Sequence, residues 1–263
     1  MKNITLALLF VVILSGCKKS STAPAPQPVP STKLRLSTTR TLNPNGHYIL
    51  QTNTYLENGL LAKEVSKDES TGLSVTQEYF YVNQIPEYSI ISNDDRRVSR
   101  INYSYVNGRL IKMDYLEYDQ FGNSSLNFSR TLEYSGNLLS KTTTFSVQNK
   151  PLYYEIYSFL GENLLAVRTY SADGVVQNLT EYLYDMELNP YKGNLDKYQL
   201  ALGLSKNNVT RVRYTDYNNP AASSDRRYEY EYNSEKYPIK KSFIGPTNRE
   251  LQVTFTYQSY KVN

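Results

Sequence analysis

A unit of about 25 residues recurs along this chain, and each copy places an aromatic residue just ahead of a tight bend. Aligned on that aromatic, the copies carry Tyr55, Tyr81, Tyr105, Tyr134, Phe159, Tyr184, Tyr232 and Tyr257, at successive gaps of 26, 24, 29, 25, 25, 48 and 25 residues. A fixed period constrains the fold more than composition does, because such units bury their apolar faces against their neighbours. The gap of 48 is about two periods, so one unit there is altered.

Each unit reads as a β-hairpin. The first strand alternates: Tyr79 and Tyr81 share a face in EYFYV, as do Tyr103 and Tyr105 in INYSYV. In RRYEYEY, Tyr228, Tyr230 and Tyr232 lie opposite Glu229 and Glu231. The bends carry Asn58-Gly59, Asn107-Gly108, Gly136-Asn137 and Asn189-Pro190, residues that tolerate the backbone of tight turns. The return strand holds two apolar residues and often a lysine, as in GLLAKEV and NLLSKTT, and a second turn such as YDQFGN or SADG closes the unit. The count predicts about 16–18 antiparallel strands in one long meander. Open sheets beyond about ten strands curl or split, so the expectation is all-β: a rolled or half-open barrel-like sheet.

The repeat explains an odd composition: 26 tyrosines, 8 phenylalanines and no tryptophan, at a mean hydropathy of −0.55. Phenol rings fit a pleated, half-buried surface and keep their hydroxyls bonded or wet, so most tyrosines read as repeat core. Within the altered unit, NLDKYQLALGL spaces Leu195, Tyr198 and Leu202 as a helix does, with Asn194 as a cap. One short helix near 194–203 is expected, either plugging a gap in the sheet or covering an apolar cavity.

The first residues do not belong to this fold. Lys2 precedes an apolar stretch, Ile4–Leu14, too short to span a bilayer and suited to a secretory signal. It ends in Leu14-Ser15-Gly16-Cys17, and Cys17 is the only cysteine in the chain. These four residues resemble a bacterial lipobox. That resemblance implies cleavage between Gly16 and Cys17 and acyl chains such as palmitate on Cys17, with no further cofactor. Residues 18–32 carry alternating prolines at 24, 26, 28 and 30, which favour an extended tether of roughly 45 Å. The expected organisation is a signal peptide over 1–16, a lipidated cysteine and tether over 17–32, and a single β-repeat domain over 33–263.

Two further resemblances bear on architecture. LEYDQFGN followed by an apolar strand is similar to the YD repeats of Rhs-type proteins, whose hairpins coil into large sheets. YLYDMELNPY, LSKNNVTRVRYTD and YEYEYNSEKYPIKKSF together resemble a group of Bacteroidetes-type lipoproteins of unknown function. The resemblance spans residues 33 to 263 and implies fold and cell-envelope location rather than a reaction. Acidic residues after the cysteine resemble a surface-export signal in such lipoproteins. Lys18 and Lys19 stand there instead, which points to the outer membrane with the domain facing the periplasm.

The chain offers little for catalysis. It has one histidine, His47, beside a turn, and the lone cysteine is the lipidation site, so metal sites built on those ligands and histidine-based triads are excluded. Neither GxxxxGK[ST] nor GxGxxG occurs. A net charge of +4 with mixed signs gives no stripe for nucleic acid. Carboxylates such as Asp94-Asp95, Asp119, Asp173, Asp185 and Asp216 sit mostly in turns. The reading is a membrane-anchored, non-catalytic envelope lipoprotein that binds a glycan or a protein partner, or serves as a scaffold. The candidate surface is Tyr79, Tyr81, Tyr103, Tyr105, Tyr228, Tyr230 and Tyr232. The alternatives are a periplasmic carrier with an apolar ligand inside the roll and, behind it, a glycoside hydrolase using two carboxylates.

Overall fold

The computed structural model describes residues 32–192, 203–245 and 248–261. Its strands are β1 (Thr32–Leu42), β2 (Tyr48–Tyr55), β3 (Leu61–Asp68), β4 (Ser74–Val82), β5 (Ile85–Asn93), β6 (Arg96–Val106), β7 (Arg109–Tyr118) and β8 (Ser124–Ser135). They continue as β9 (Leu138–Ser146), β10 (Pro151–Leu160), β11 (Asn163–Ser171), β12 (Val176–Leu188), β13 (Asn207–Asp216), β14 (Ser224–Tyr232), β15 (Pro238–Ile244) and β16 (Arg249–Lys261). Every strand pairs antiparallel with its sequence neighbours, and β16 pairs with β1 from Thr32 opposite Lys261 to Thr41 opposite Val253. The sheet is therefore a closed barrel rather than a half-open roll. Closure gives the first and last strands the partners that an open meander would leave unpaired.

Eight hairpin units make the ring. Seven are consecutive, from β2–β3 to β14–β15. The eighth joins the last strand, β16, to the first, β1. The units share a second feature that the sequence did not advertise. Beside each bend-side aromatic the return strand carries one extra residue: Ala62 beside Tyr55, Ile111 beside Tyr105, Leu165 beside Phe159, and Ser37 beside Tyr257 show the pattern. Such bulges bend the strand and increase its twist, which a closing sheet needs.

Tyr184 and Tyr232 belong to adjacent hairpins, so the gap of 48 is no lost unit. It holds one insertion, between Leu188 and Asn207 in the bend of β12–β13. The helix expected near 194–203 lies almost wholly outside the described residues; Gly203 and Leu204 have helical backbone. The short bends use left-handed residues, as at Asn107 (φ 51°) and Gly108 (φ 73°). Asp94 (φ 44°) and Asp95 (φ 67°) do the same, so this acidic pair forms a two-residue turn.

The two faces of the sheet differ. Outward positions carry ion pairs between facing strands: Lys63–Glu78 (3.2 Å), Lys141–Glu133 (3.4 Å), Lys240–Glu231 (2.8 Å) and Arg211–Asp225. Inward positions carry the repeat aromatics and the aliphatic core. One cluster, including Ile101, Leu110, Met113, Leu139 and Leu164, fills the side made by β6–β11. A smaller one, Leu36, Val253 and Phe255, lies across the closure and receives Tyr191 from the insertion.

Candidate functional site

A circular barrel of sixteen strands has a lumen too wide for ordinary side chains to fill. Here the interior is narrowed by tyrosines, and the tyrosines are fixed by a ladder. The phenol of Tyr55 donates to the carbonyl of Leu36 (2.6 Å), Tyr81 to Leu61 (2.7 Å), Tyr134 to Leu110 (2.9 Å) and Tyr184 to Leu164 (2.6 Å). Tyr230 donates to Val209 (2.8 Å) and Tyr257 to Pro238 (2.7 Å). In each case the acceptor is the residue paired with the aromatic of the preceding unit, immediately before its bulge. The bulge disrupts the strand ladder at that point, and the next unit's phenol bonds the carbonyl there. Two rungs differ. Phe159 has no hydroxyl, and the Tyr105 hydroxyl is buried with no partner. Burial pushes the Tyr105 phenol up to about 12.

The first residues of the insertion enter this interior, and its described residues are pinned at both ends. Asn189 donates through Nδ2 to the carbonyl of Ser205 (2.9 Å), and Asn208 donates through Nδ2 to that of Leu188 (3.0 Å). Lys192 and Lys206 both reach Glu162 on the β10–β11 bend, at 3.0 and 2.7 Å, and hold its carboxyl below the ordinary range. Tyr191 then lies inside the barrel, its ring edge-on to Phe255 at 6.2 Å, and burial raises its phenol well above the usual value.

Among the described residues, two cavities stand out. The larger, about 590 Å³, is walled by Tyr55, Tyr79, Tyr81, Tyr103, Tyr105 and Tyr191. Its amides come from Gln51, Asn53 and Gln84, and its aliphatic wall from Leu36, Leu60, Leu61 and Ile85. The smaller, about 270 Å³, lies among Val209, Tyr230, Lys241, Val253 and Phe255, and Tyr191 borders both.

The seven tyrosines singled out from sequence thus face inward, and five of them line one of the two cavities. Tyr79, Tyr81, Tyr103 and Tyr105 line the larger one. Tyr230 lines the smaller one, Tyr232 stacks on it at 6.0 Å and bonds Asp185, and the Tyr228 ring lies 3.9 Å from the Lys241 ammonium. The tyrosine rows that alternation identified are interior walls, because closure turned their face of the sheet inward. Gly16 and Cys17 lie outside the described residues. Gln51, Asn53, Gln84, Tyr191 and Lys241 went unremarked in the sequence. For Lys241 a signal existed: counting back by two from Phe243 puts it on the apolar face.

The turn carboxylates shape backbone. Asp119 accepts the amides of Phe121 (2.8 Å) and Asn123 (2.9 Å), and the Asn123 side chain leads the bonds that hold its carboxyl low. Asp216 accepts the amides of Asn219 and Asn218 at 2.8 and 2.9 Å. His47 is exposed at its turn, its Nδ1 2.6 Å from Ser70 Oγ. Inside the barrel, Glu155 accepts hydroxyl bonds from Thr142 and Tyr157, both 2.9 Å.

No protein-family model and no curated protein matches the chain. Solved structures do. A porin-like protein from Bacteroides uniformis superposes with a TM-score of 0.57 at 14% identity, over 85% of this chain and 98% of that one. A porin-like protein from Bacteroides vulgatus gives 0.57 at 12% identity, over 86% and 99%. At such identities the likeness is one of fold: a closed antiparallel barrel.

Proposed function

We propose that this is a lipid-anchored, non-catalytic binding protein of the cell envelope that holds a small glycan inside its barrel. The observation that carries the reading is the cavity of about 590 Å³ walled by six tyrosines. A sugar ring has a flat apolar face and a rim of hydroxyls. Phenol faces suit the first, and the amides of Gln51, Asn53 and Gln84 suit the second. The volume lies within the usual range of small-molecule sites and takes roughly one or two sugar rings. A specific observation favours a second reading, an apolar ligand: Leu60, Leu61 and Ile85 share the same wall.

The outer surface argues for a barrel that sits in water. A membrane-crossing barrel turns an apolar band to lipid and keeps its polar groups for the lumen. Here outward charges interrupt the exposed aliphatics, such as Ile156, Leu165 and Leu183, that such a band would need. Its outward strand positions carry Lys63, Lys141, Lys240 and Arg211 with their carboxylates, and each Lys or Arg at a bilayer midplane costs about 2–4 kcal/mol. Anchoring then falls to acyl chains on Cys17 and the proline-rich tether, with the barrel on the periplasmic side of the outer membrane. The membrane contact is the lipid, and the barrel is left free for its ligand.

The test is a glycan array probed with the purified protein, followed by calorimetry on each hit with wild type and Tyr103→Ala. Loss of about tenfold or more in affinity in a folded variant supports the cavity as the site. Glycan binding that Tyr103→Ala leaves untouched would remove it, and an empty array beside binding of an apolar probe would move the reading to the carrier.

A further inference from the structure

The smaller cavity holds a charge that no carboxylate among the described residues pairs with. Lys241 sits mid-strand on β15, paired with Tyr230 on β14 and Val253 on β16, and all three face inward. The walls around it are Val209, Val253 and Phe255 with the rings of Tyr191 and Tyr230. Among the described residues, no carboxylate forms an ion pair with its ammonium; the contact it does make is with the face of Tyr228, 3.9 Å from the ring centroid. Thr41 also lines the chamber, and the other polar side chains named beside Lys241 are engaged elsewhere. Asn189 and Asn208 donate to carbonyls of the insertion, and the Tyr230 hydroxyl donates to Val209. Asp185, on β12, three strands from β15, is taken by Tyr232 and by the backbone amides of Glu187 and Asn208. Burial lowers Lys241 to about 8, so the group is still mostly an ammonium at neutral pH.

An ammonium held in an apolar chamber beside empty volume is a poor structural element and a good recognition element. Filling the chamber with hydrocarbon leaves the charge unmatched, while an inorganic anion leaves the apolar walls unfilled. The geometry points to a single class of occupant: we propose that the smaller cavity binds a small organic monoanion, a carboxylate carried on a short apolar or aromatic body, with Lys241 as its counter-ion. One cation matches one negative charge, and among the described residues no second Lys or Arg lines this chamber to favour a dianion. A void of about 150 Å³ is enough for benzene, so about 270 Å³ accommodates a body of roughly eight carbon atoms with its carboxylate. The proposal stands on its own residues and does not depend on what fills the larger cavity.

Octanoate and octanol differ in charge at nearly equal size, and both can be titrated calorimetrically into the full chain in detergent, with blank micelles as reference. Wild type is expected to prefer octanoate over octanol by about tenfold or more near neutral pH, corresponding to about 1.4 kcal/mol. Lys241→Arg should keep the preference and Lys241→Met should erase it. Lys241→Gln substitutes for the methionine variant if that variant does not fold. The proposal is overturned if wild type binds the two probes equally, if the preference survives loss of the charge, or if neither probe binds at about 1 mM.

Discussion

Around β7–β11 the interior is densely packed. Leu164 is fully buried, Met113 nearly so, and Leu110, Leu132, Leu139 and Val167 close round them. Across the barrel, from β13 through the closure to the bend-side end of β6, the same hairpin unit encloses two cavities. The difference lies in what each unit places inward. The filled side supplies branched aliphatics that interdigitate. The hollow side supplies tyrosines, prolines and amides, which stand off from one another. The buried charges follow the same division. Arg130 donates to Tyr153 (3.0 Å); burial opposes its charge, but the Glu155 carboxylate nearby holds its pKa above the ordinary value. Lys241 has, among the described residues, the face of Tyr228 and a pKa lowered by burial. Stability is concentrated on one side, and the other is left as a container.

The comparison breaks first if core substitutions on the two sides cost the same. Leu164→Ala should lose about 2–5 kcal/mol, because a tight core cannot collapse round the void. Leu61→Ala, against an existing cavity, should lose about 1–2 kcal/mol, the transfer term alone. Urea midpoints measure both. Next comes the charge contrast. Glu155→Leu leaves Thr142 and Tyr157 without their acceptor and Arg130 without its carboxylate, and should cost about 3 kcal/mol.

Lys241→Met should act in the opposite direction and stabilise the protein at neutral pH by about 1–3 kcal/mol. The sign follows from its pKa. A lysine near 8 when folded and about 10.4 when unfolded binds fewer protons in the folded state between those values, so wild type gains stability as pH rises through that window. The gap between wild type and Lys241→Met should therefore narrow from pH about 8 to about 10, and a constant gap would show that the lysine is not desolvated. Comparing the two proteins cancels the buried tyrosines. Their raised pKa values favour the fold below about 10, and that contribution is lost above it.

Smaller effects sharpen the picture. Tyr134→Phe removes one rung of the phenol ladder and should cost about 1 kcal/mol, while Phe159→Tyr, aimed at the Leu139 carbonyl, should recover up to that amount if the missing rung can form. Lys63→Ala on the outer face should move the midpoint by less than about 0.5 kcal/mol, since its partner Glu78 is solvent-exposed.

Much of this was legible in the chain. Alternation put Tyr79, Tyr81, Tyr103 and Tyr105 on one face, and the bend-side aromatics counted the hairpins. The insertion was less legible. A gap of 48 looks like two periods, and only the pairing of β12 with β13 shows that Leu188 and Asn207 belong to one interrupted hairpin. The cavity amides were hidden for a similar reason. Gln51 and Asn53 look like surface residues of a polar strand until the closure between β1 and β16 encloses them. Lys241 was masked by Lys240, because two adjacent lysines read as a solvated turn-side pair unless the strand's parity is followed.

The sequence by itself determined the repeat, its antiparallel pairing and the choice of tyrosine. These depend on local patterns: alternation, bend residues and spacing between neighbouring units. Only the tertiary structure decided that the last strand completes the first unit, which face became the inside, and where the interior was left unfilled. Those outcomes depend on the accumulated twist and bulges of sixteen strands and on side chains more than a hundred residues apart, and no local pattern records them.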